Sequence, residues 1–185
     1  RERPRRVLYA PIHPRCAYVD QAINLAGFER LHRLAVQDEI DLTVRYINDL
    51  EKSGLRHVAH KNIHYVQGSQ EPGYRQIDQA DVVVAHQTYL YMAVARGVPS
   101  VGLGTDVPGH LVPLGKPAQY ARHWNDYVDL MAYPLDILQE DDTLGLLERA
   151  INVETAVGLW RKRMIGEPFD GEKVRTIVRQ YVEEL

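Results

Sequence analysis

Five short stretches of the chain are apolar with little polar relief: VLYAPI at 7–12, LTVRYI at 42–47, IHYVQ at 63–67, VVVA at 82–85 and SVGLG at 100–104. They are rich in β-branched and aromatic residues and end at Gly, Pro or polar clusters, which predicts strands. VVVA has no polar alternation, and a strand apolar on both faces belongs inside a sheet covered by helices. Between these stretches the spacing changes to a helical one. Ile23, Ala26, Leu31, Leu34 and Ala35 predict one or two helices over 20–40, with Gly27 as a possible break. Residues 74–80 and 88–96 predict two further helices. Asn48 and Asp49 predict a capped helical turn ending at Gly54. Near the end, Thr143 is expected to cap a helix over 144–151, and 153–165 continue to Gly166. Asp170 is expected to cap a last helix striped by Val174, Ile177, Val178, Tyr181, Val182 and Leu185.

Strand–helix alternation of this kind means parallel strands joined by crossover helices, an α/β doubly wound domain of about five to six strands with helices on both faces and a helical C-terminus. The pattern is weakest over 105–142, where Pro108, Gly109, Pro113, Gly115 and Pro117 predict a long loop. The leader RERPRR reads as a linker over 1–6 cut from something longer, leaving 7–185 as a single domain.

Bulk composition narrows the classes. With 185 residues, 45% hydrophobic and 25% charged, the chain has the make-up of a globular domain able to bury its own core. A net charge of −3 argues against a dedicated nucleic-acid binder. Basic side chains outnumber acidic ones over 1–75 and the reverse holds over 76–185, a mild asymmetry that suits an anionic ligand on the first half. The single cysteine, Cys16, allows no disulfide within the chain and fits a reducing, cytoplasmic compartment. No apolar run approaches the ~18 residues of a membrane span, and no secretory signal is visible.

In open α/β sheets, ligands bind beyond the carboxyl ends of the strands. Four polar spots fall there: His13-Pro14-Arg15, Gln67-Gly68-Ser69, His86-Gln87-Thr88 and Gly104-Thr105-Asp106. Thr88 is a candidate N-cap, and the same free N–H groups suit a phosphate. Arg15 offers a bidentate fork and His13 a donor. Arg45, inside a strand pattern, needs a partner or solvent and is read as an edge residue. GLGTDVPG (102–109) lacks the G-x-G-x-x-G spacing, and no phosphate-binding G-x-x-x-x-G-K-[ST] loop is present. His57, His60 and His64 have no cysteine or carboxylate with them, so no metal site is expected. Cys16 lacks an orienting group for a nucleophilic role. Glu140-Asp141-Asp142 reads as a solvated helix start.

The segment Ala80-Asp81-Val82-Val83-Val84, then His86-Gln87-Thr88, then Gly97-Val98-Pro99-Ser100-Val101 resembles the C-terminal, donor-binding domain of GT-B glycosyltransferases. It is similar also to UDP-N-acetylglucosamine 2-epimerases and CDP-glycerol glycerophosphotransferases. VLYAPIHPR looks like their first strand and phosphate-side loop. LTVRYI looks like the second strand and IHYVQG like the third. The resemblance implies a Rossmann-like domain, the C-terminal half of a two-domain protein whose N-terminal acceptor domain is missing here. It implies a nucleotide-sugar ligand and metal-independent glycosyl transfer with no cofactor, in bacterial envelope or polysaccharide synthesis. The ligand-side positions it implies are His13, Arg15, Gln67, Gly68, His86, Gln87, Thr88, Gly104 and Thr105; it names no catalytic base. The sequence departs from the family in the polar turn, where His-Gln-Thr replaces a small-residue pair, and in having no Asp or Glu between Asp81 and Asp106 to hold a ribose. A half of an epimerase or polyol-phosphate transferase, and a non-catalytic Rossmann-like interaction module, are the other readings.

Overall fold

The computed structural model describes residues 4–12, 22–47, 49–68, 70, 72–86, 88–104 and 135–152, with the backbone alone at Thr88, Tyr91, Val94, Ala95 and Asn152. Its centre is a five-stranded, wholly parallel sheet: β1 (Arg6–Ala10), β2 (Asp41–Tyr46), β3 (Ile63–Gln67), β4 (Val82–Ala85) and β5 (Ser100–Gly102). The strands lie in the order β3-β2-β1-β4-β5. All five expected strands are present, within two residues of the predicted ends. Beyond β5 the sheet takes one more parallel bridge, Gly102 to Asp136.

Register follows from side-chain alternation. Val7, Tyr9, Leu42, Val44, Val82, Val84 and Val101 share one face. There they pack on α1 (Ala22–Val36) and on α4 (Thr143–Asn152). Leu8, Ala10, Val83 and Ala85 share the other face, under Ile77 of α2 (Gly73–Gln79) and Leu90 and Ala93 of α3 (Thr88–Ala95). VVVA is buried at every position because β4 has a helix on each side. This is the Rossmann-like doubly wound arrangement.

Gly27 does not break the helix expected over 20–40. It lies inside one continuous α1, because the helix must come close to the sheet there. A Cβ at Gly27 would sit 2.6 Å from Leu103 Cδ1 and 3.2 Å from Tyr9 Oη. The turn after β2 is a 3-10 segment (Glu51–Ser53). Asp49 Oδ1 accepts from Glu51 N at 3.0 Å, and Gly54 closes the turn at φ 74°. Asp142, not Thr143, caps α4. Its Oδ1 accepts from Gly145 N at 2.9 Å, which satisfies a free N–H of the first turn, while the Thr143 residue is buried. The acidic run is tied down as well as solvated: Glu140 pairs with Arg149, and Arg30 reaches the Glu140 carbonyl and, at 3.6 Å, Asp141.

Arg45 is not an edge residue. β2 stands between β3 and β1, and Arg45 is only 5% exposed. The expected helices over 153–165 and 170–185, and the loop expected over 105–119, lie outside the described residues.

Candidate functional site

The strand order fixes where a ligand site belongs. From β1 the chain winds outward through β2 to β3, then returns across β1 to β4 and continues to β5. The reversal leaves a crevice between the carboxyl ends of β1 and β4, where neighbouring connections diverge. Ala10 pairs with Ala85 at the last rung of that ladder, so Pro11 and Ile12 leave on one side and His86 on the other.

On the β1 side the exit of the chain is clamped by Asn24, a residue that apolar periodicity does not single out. Asn24 is fully buried in the first turn of α1. Its Oδ1 accepts from Ile12 N at 2.7 Å. Its Nδ2 donates to Ile12 O at 3.1 Å and to Ser53 O at 3.0 Å. The amide therefore replaces, for Ile12, the sheet partner that β1 loses on leaving the ladder. Tyr9 Oη donates to Asn24 O at 2.6 Å, and burial pushes the Tyr9 phenol well above its usual pKa, so it stays a donor. The sequence signal was a polar residue on the inward face of an apolar helix.

On the β4 side, His86 is 7% exposed. Its Nδ1 lies 2.9 Å from Leu103 O, and a carbonyl can only accept, so Nδ1 carries the hydrogen. Burial lowers the His86 pKa, against the opposing pull of the Leu103 carbonyl and the Asp136 charge. The imidazole is thus neutral at pH 7, with a lone pair on a buried Nε2 that has no hydrogen-bond partner among the described residues. Leu103 N donates to Ala85 O at 2.9 Å, so the His86 bond extends the β4–β5 pairing by one residue. Gly104, at φ 64°, turns the chain away beside α1. A Cβ there would lie 2.7 Å from Ile23 Cδ1.

The other end of the sheet explains the Ala80-Asp81 pair. Asp81 Oδ2 accepts from Arg5 N at 2.9 Å and Arg6 N at 2.8 Å, and its Oδ1 accepts from Arg6 Nη2 at 2.7 Å. Partial burial raises its pKa, but these donors together outweigh that and hold the carboxyl below its usual range. Asp81 fastens the amino end of β1 to β4, far from the crevice.

Gln67 and Gly68 end β3, three strand spacings from β4, or roughly 14 Å at ~4.8 Å per strand. Gly68 N donates to Tyr46 O at 2.8 Å, and Gly68 O accepts from Arg45 Nη2 at 2.9 Å. The expected positions therefore form two groups. His86 and Gly104 meet around Leu103; Gly68 joins Arg45 and Tyr89. Thr88 begins α3. His13, Arg15, Gln87 and Thr105, like Cys16, lie outside the described residues. The three histidines read for metal take separate roles: His57 stacks on Tyr65 with ring centres 4.4 Å apart, His60 Nδ1 accepts from Asn62 N at 3.3 Å, and His64 is exposed on β3. Among the described residues no His, Cys, Asp or Glu cluster is arranged to hold a metal, and no helix is long and apolar enough to cross a membrane.

No protein-family model matches the chain, and no curated protein matches it. Among solved structures it is similar to a short-chain dehydrogenase/reductase (wide type) from Veillonella parvula DSM 2008 in complex with NADP. The identity is 12% and the TM-score 0.35, over 83% of this chain and 65% of that one. It is similar also to the glycosyltransferase SnogD from Streptomyces nogalater, at 16% identity and a TM-score of 0.36, over 84% of this chain and 42% of that one. The chain spans less than two thirds of the length of either structure.

Proposed function

We propose that this domain binds the diphosphate of a nucleotide-sugar at the crevice between β1 and β4, as the donor-binding half of a GT-B-like glycosyltransferase. The observation that carries the reading is the strand reversal. It opens the carboxyl edge of the sheet at the point where α3 begins, only two residues after β4 ends. The free N–H groups of that helix start suit a diphosphate, and Thr88 shares them. Arg15 and His13, which follow β1 in the chain, supply the positive charge, and Gln87 and Thr105, which follow β4 and β5, are further candidates for the same ligand. Departure of the nucleoside diphosphate is then stabilised by side chains and a helix terminus without a metal. His86 enters as a neutral group that fixes the ends of β4 and β5. Gln67 and Gly68 stand on the nucleoside side.

The test is a thermal-shift panel on the 185-residue chain with UDP, UDP-N-acetylglucosamine, GDP-mannose, CDP and CDP-glycerol, without added metal. A ligand at a hundred times its Kd stabilises by ~2.7 kcal/mol. That is a rise of roughly 5–10 °C for a domain of this size. The expected result is a rise with one nucleotide family that is lost in Arg15→Ala and in Thr88→Ala. A preference for CDP-glycerol would move the assignment to polyol-phosphate transfer. No rise with any of the five at millimolar concentration would overturn the reading in favour of an interaction module.

A further inference from the structure

Arg45 carries a buried positive charge whose partners among the described residues are all neutral. Nη1 donates to Gln76 Oε1 at 2.8 Å, Nη2 to Gly68 O at 2.9 Å, and Nε to the Tyr89 hydroxyl. The guanidinium carbon also lies 5.6 Å from the centre of the Tyr89 ring. Among the described residues no carboxylate oxygen comes within 4.0 Å of it. A guanidinium taken out of water needs a counter-charge, because neutral acceptors do not replace its lost hydration in full.

The same corner has a surplus of donors. A guanidinium has five N–H groups. Three are engaged among the described residues, leaving one on each Nη. Tyr89 Oη accepts from Nε, which leaves its own hydrogen to donate. The ring of Tyr89 is held in place by α2, since a Cβ on Gly73 would sit 2.6 Å from Tyr89 Oη. Gly68 forms the rim and is half-buried. A Cβ at Gly68 would lie 3.5 Å from Arg45 Nη2 and no closer than 3.4 Å to anything else, so a methyl there would sit in van der Waals contact with that nitrogen. Arg45 is the next-to-last residue of β2 and Gly68 directly follows β3, which puts the cluster on the ligand-bearing edge of the sheet.

We propose that Arg45, Tyr89 and Gly68 form an oxyanion site at the carboxyl ends of β2 and β3, taking a phosphate or carboxylate group of a small ligand. It adjoins the proposed donor site, since Tyr89 follows Thr88 at the start of α3 and Gly68 stands on its nucleoside side, but its donors are Arg45 and Tyr89 and not the N–H groups of the helix start. Arg45 supplies the charge and two N–H donors, and Tyr89 the third donor.

Inorganic phosphate and acetate are the probes, each titrated against the melting temperature of the chain with sodium chloride at matched ionic strength. The expected result is a rise with phosphate or acetate beyond that with chloride. Gly68→Ala places a methyl on Nη2 while leaving the three Arg45 bonds in place, and should weaken the apparent Kd ten-fold or more. A response lost in Arg15→Ala but kept in Gly68→Ala would place the anion at the proposed diphosphate site and overturn the proposal. The larger response of the two anions tells phosphate from carboxylate. Arg45→Met should abolish the anion response whatever its effect on the basal melting temperature. An anion effect no greater than that of chloride, or one that survives unchanged in Gly68→Ala, would overturn the proposal.

Discussion

At the scale of single residues, two buried polar side chains decide how the crevice is held. Asn24 satisfies both backbone groups of Ile12 and the carbonyl of Ser53. Asn24→Ala leaves these buried groups without partners, at about 1–3 kcal/mol for each one left unmet. A melting temperature at least 5 °C lower is expected, by the ~2–4 °C per kcal/mol typical of this size. An unchanged melting temperature would mean that water or a neighbour replaces the amide. His86 makes a pH-dependent contribution whose sign follows from its lowered pKa. Above the ordinary value of 6.5 the imidazole is neutral in both folded and unfolded chains, and stability is independent of its titration. Below 6.5 the unfolded chain takes up the proton first, so stability falls with pH until the folded-state pKa is reached. The slope is at most ~1.4 kcal/mol per pH unit. His86→Asn keeps a donor for the Leu103 carbonyl and cannot titrate. Urea denaturation at pH 7 and pH 5 should show a smaller loss in the variant than in the parent; equal losses would remove His86 from the account.

At the scale of elements, the strands were legible because each is a short apolar run with turn residues at both ends, and burial on both faces enforces that pattern. The described helices were legible from their apolar spacing, with α2, α3 and α4 within one residue of the expected ends, but their contacts were not. Gly27 carried the composition of a helix break, and only the distance from α1 to Leu103 and Tyr9 explains why it sits mid-helix. At α4 both Asp142 and Thr143 are good caps by type. The geometry chose Asp142, whose carboxylate lies so close to position 145 that a Cβ there would come within 3 Å of it. Asp142→Ala should therefore cost about 1 kcal/mol, and heat denaturation should show a drop of roughly 2–4 °C. Gly145→Ala should show a loss of its own, because its methyl displaces the cap; a gain there would place the cap elsewhere. Arg45 was misread for a related reason. Sequence position cannot say whether a strand is central, and in this sheet the second strand is interior because the third lies outside it. Gly68, His86 and Gly104 were singled out as strand-end polar or glycine positions, and they do lie just past the carboxyl ends of β3, β4 and β5. Asn24, Arg45 and Tyr89 act through partners 12 to 44 residues away, which no local pattern reports.

At the scale of the whole molecule, the order β3-β2-β1-β4-β5 makes the first strand of the chain the middle one of the sheet. Its two edges are filled at different times. β2 joins one edge about 35 residues later, as in the pairing of Val7 with Leu42. β4 joins the other only when Val82 arrives, and the Asp81 contacts to Arg5 and Arg6 close across 76 and 75 residues. A chain cut after residue 80 lacks Asp81 and β4, so it should melt without a cooperative transition; calorimetry showing a sharp one would contradict this. There is a consequence for how the protein is made. With parallel strands throughout, no hairpin can form early, and each pairing waits on a long loop closure, which slows folding. Until β4 leaves the ribosome, the fully apolar VLYA edge of β1 has unpaired backbone groups on one side. That interval exposes an open edge to other nascent chains. The sheet that is most protected once folded is therefore the one with most to lose during synthesis.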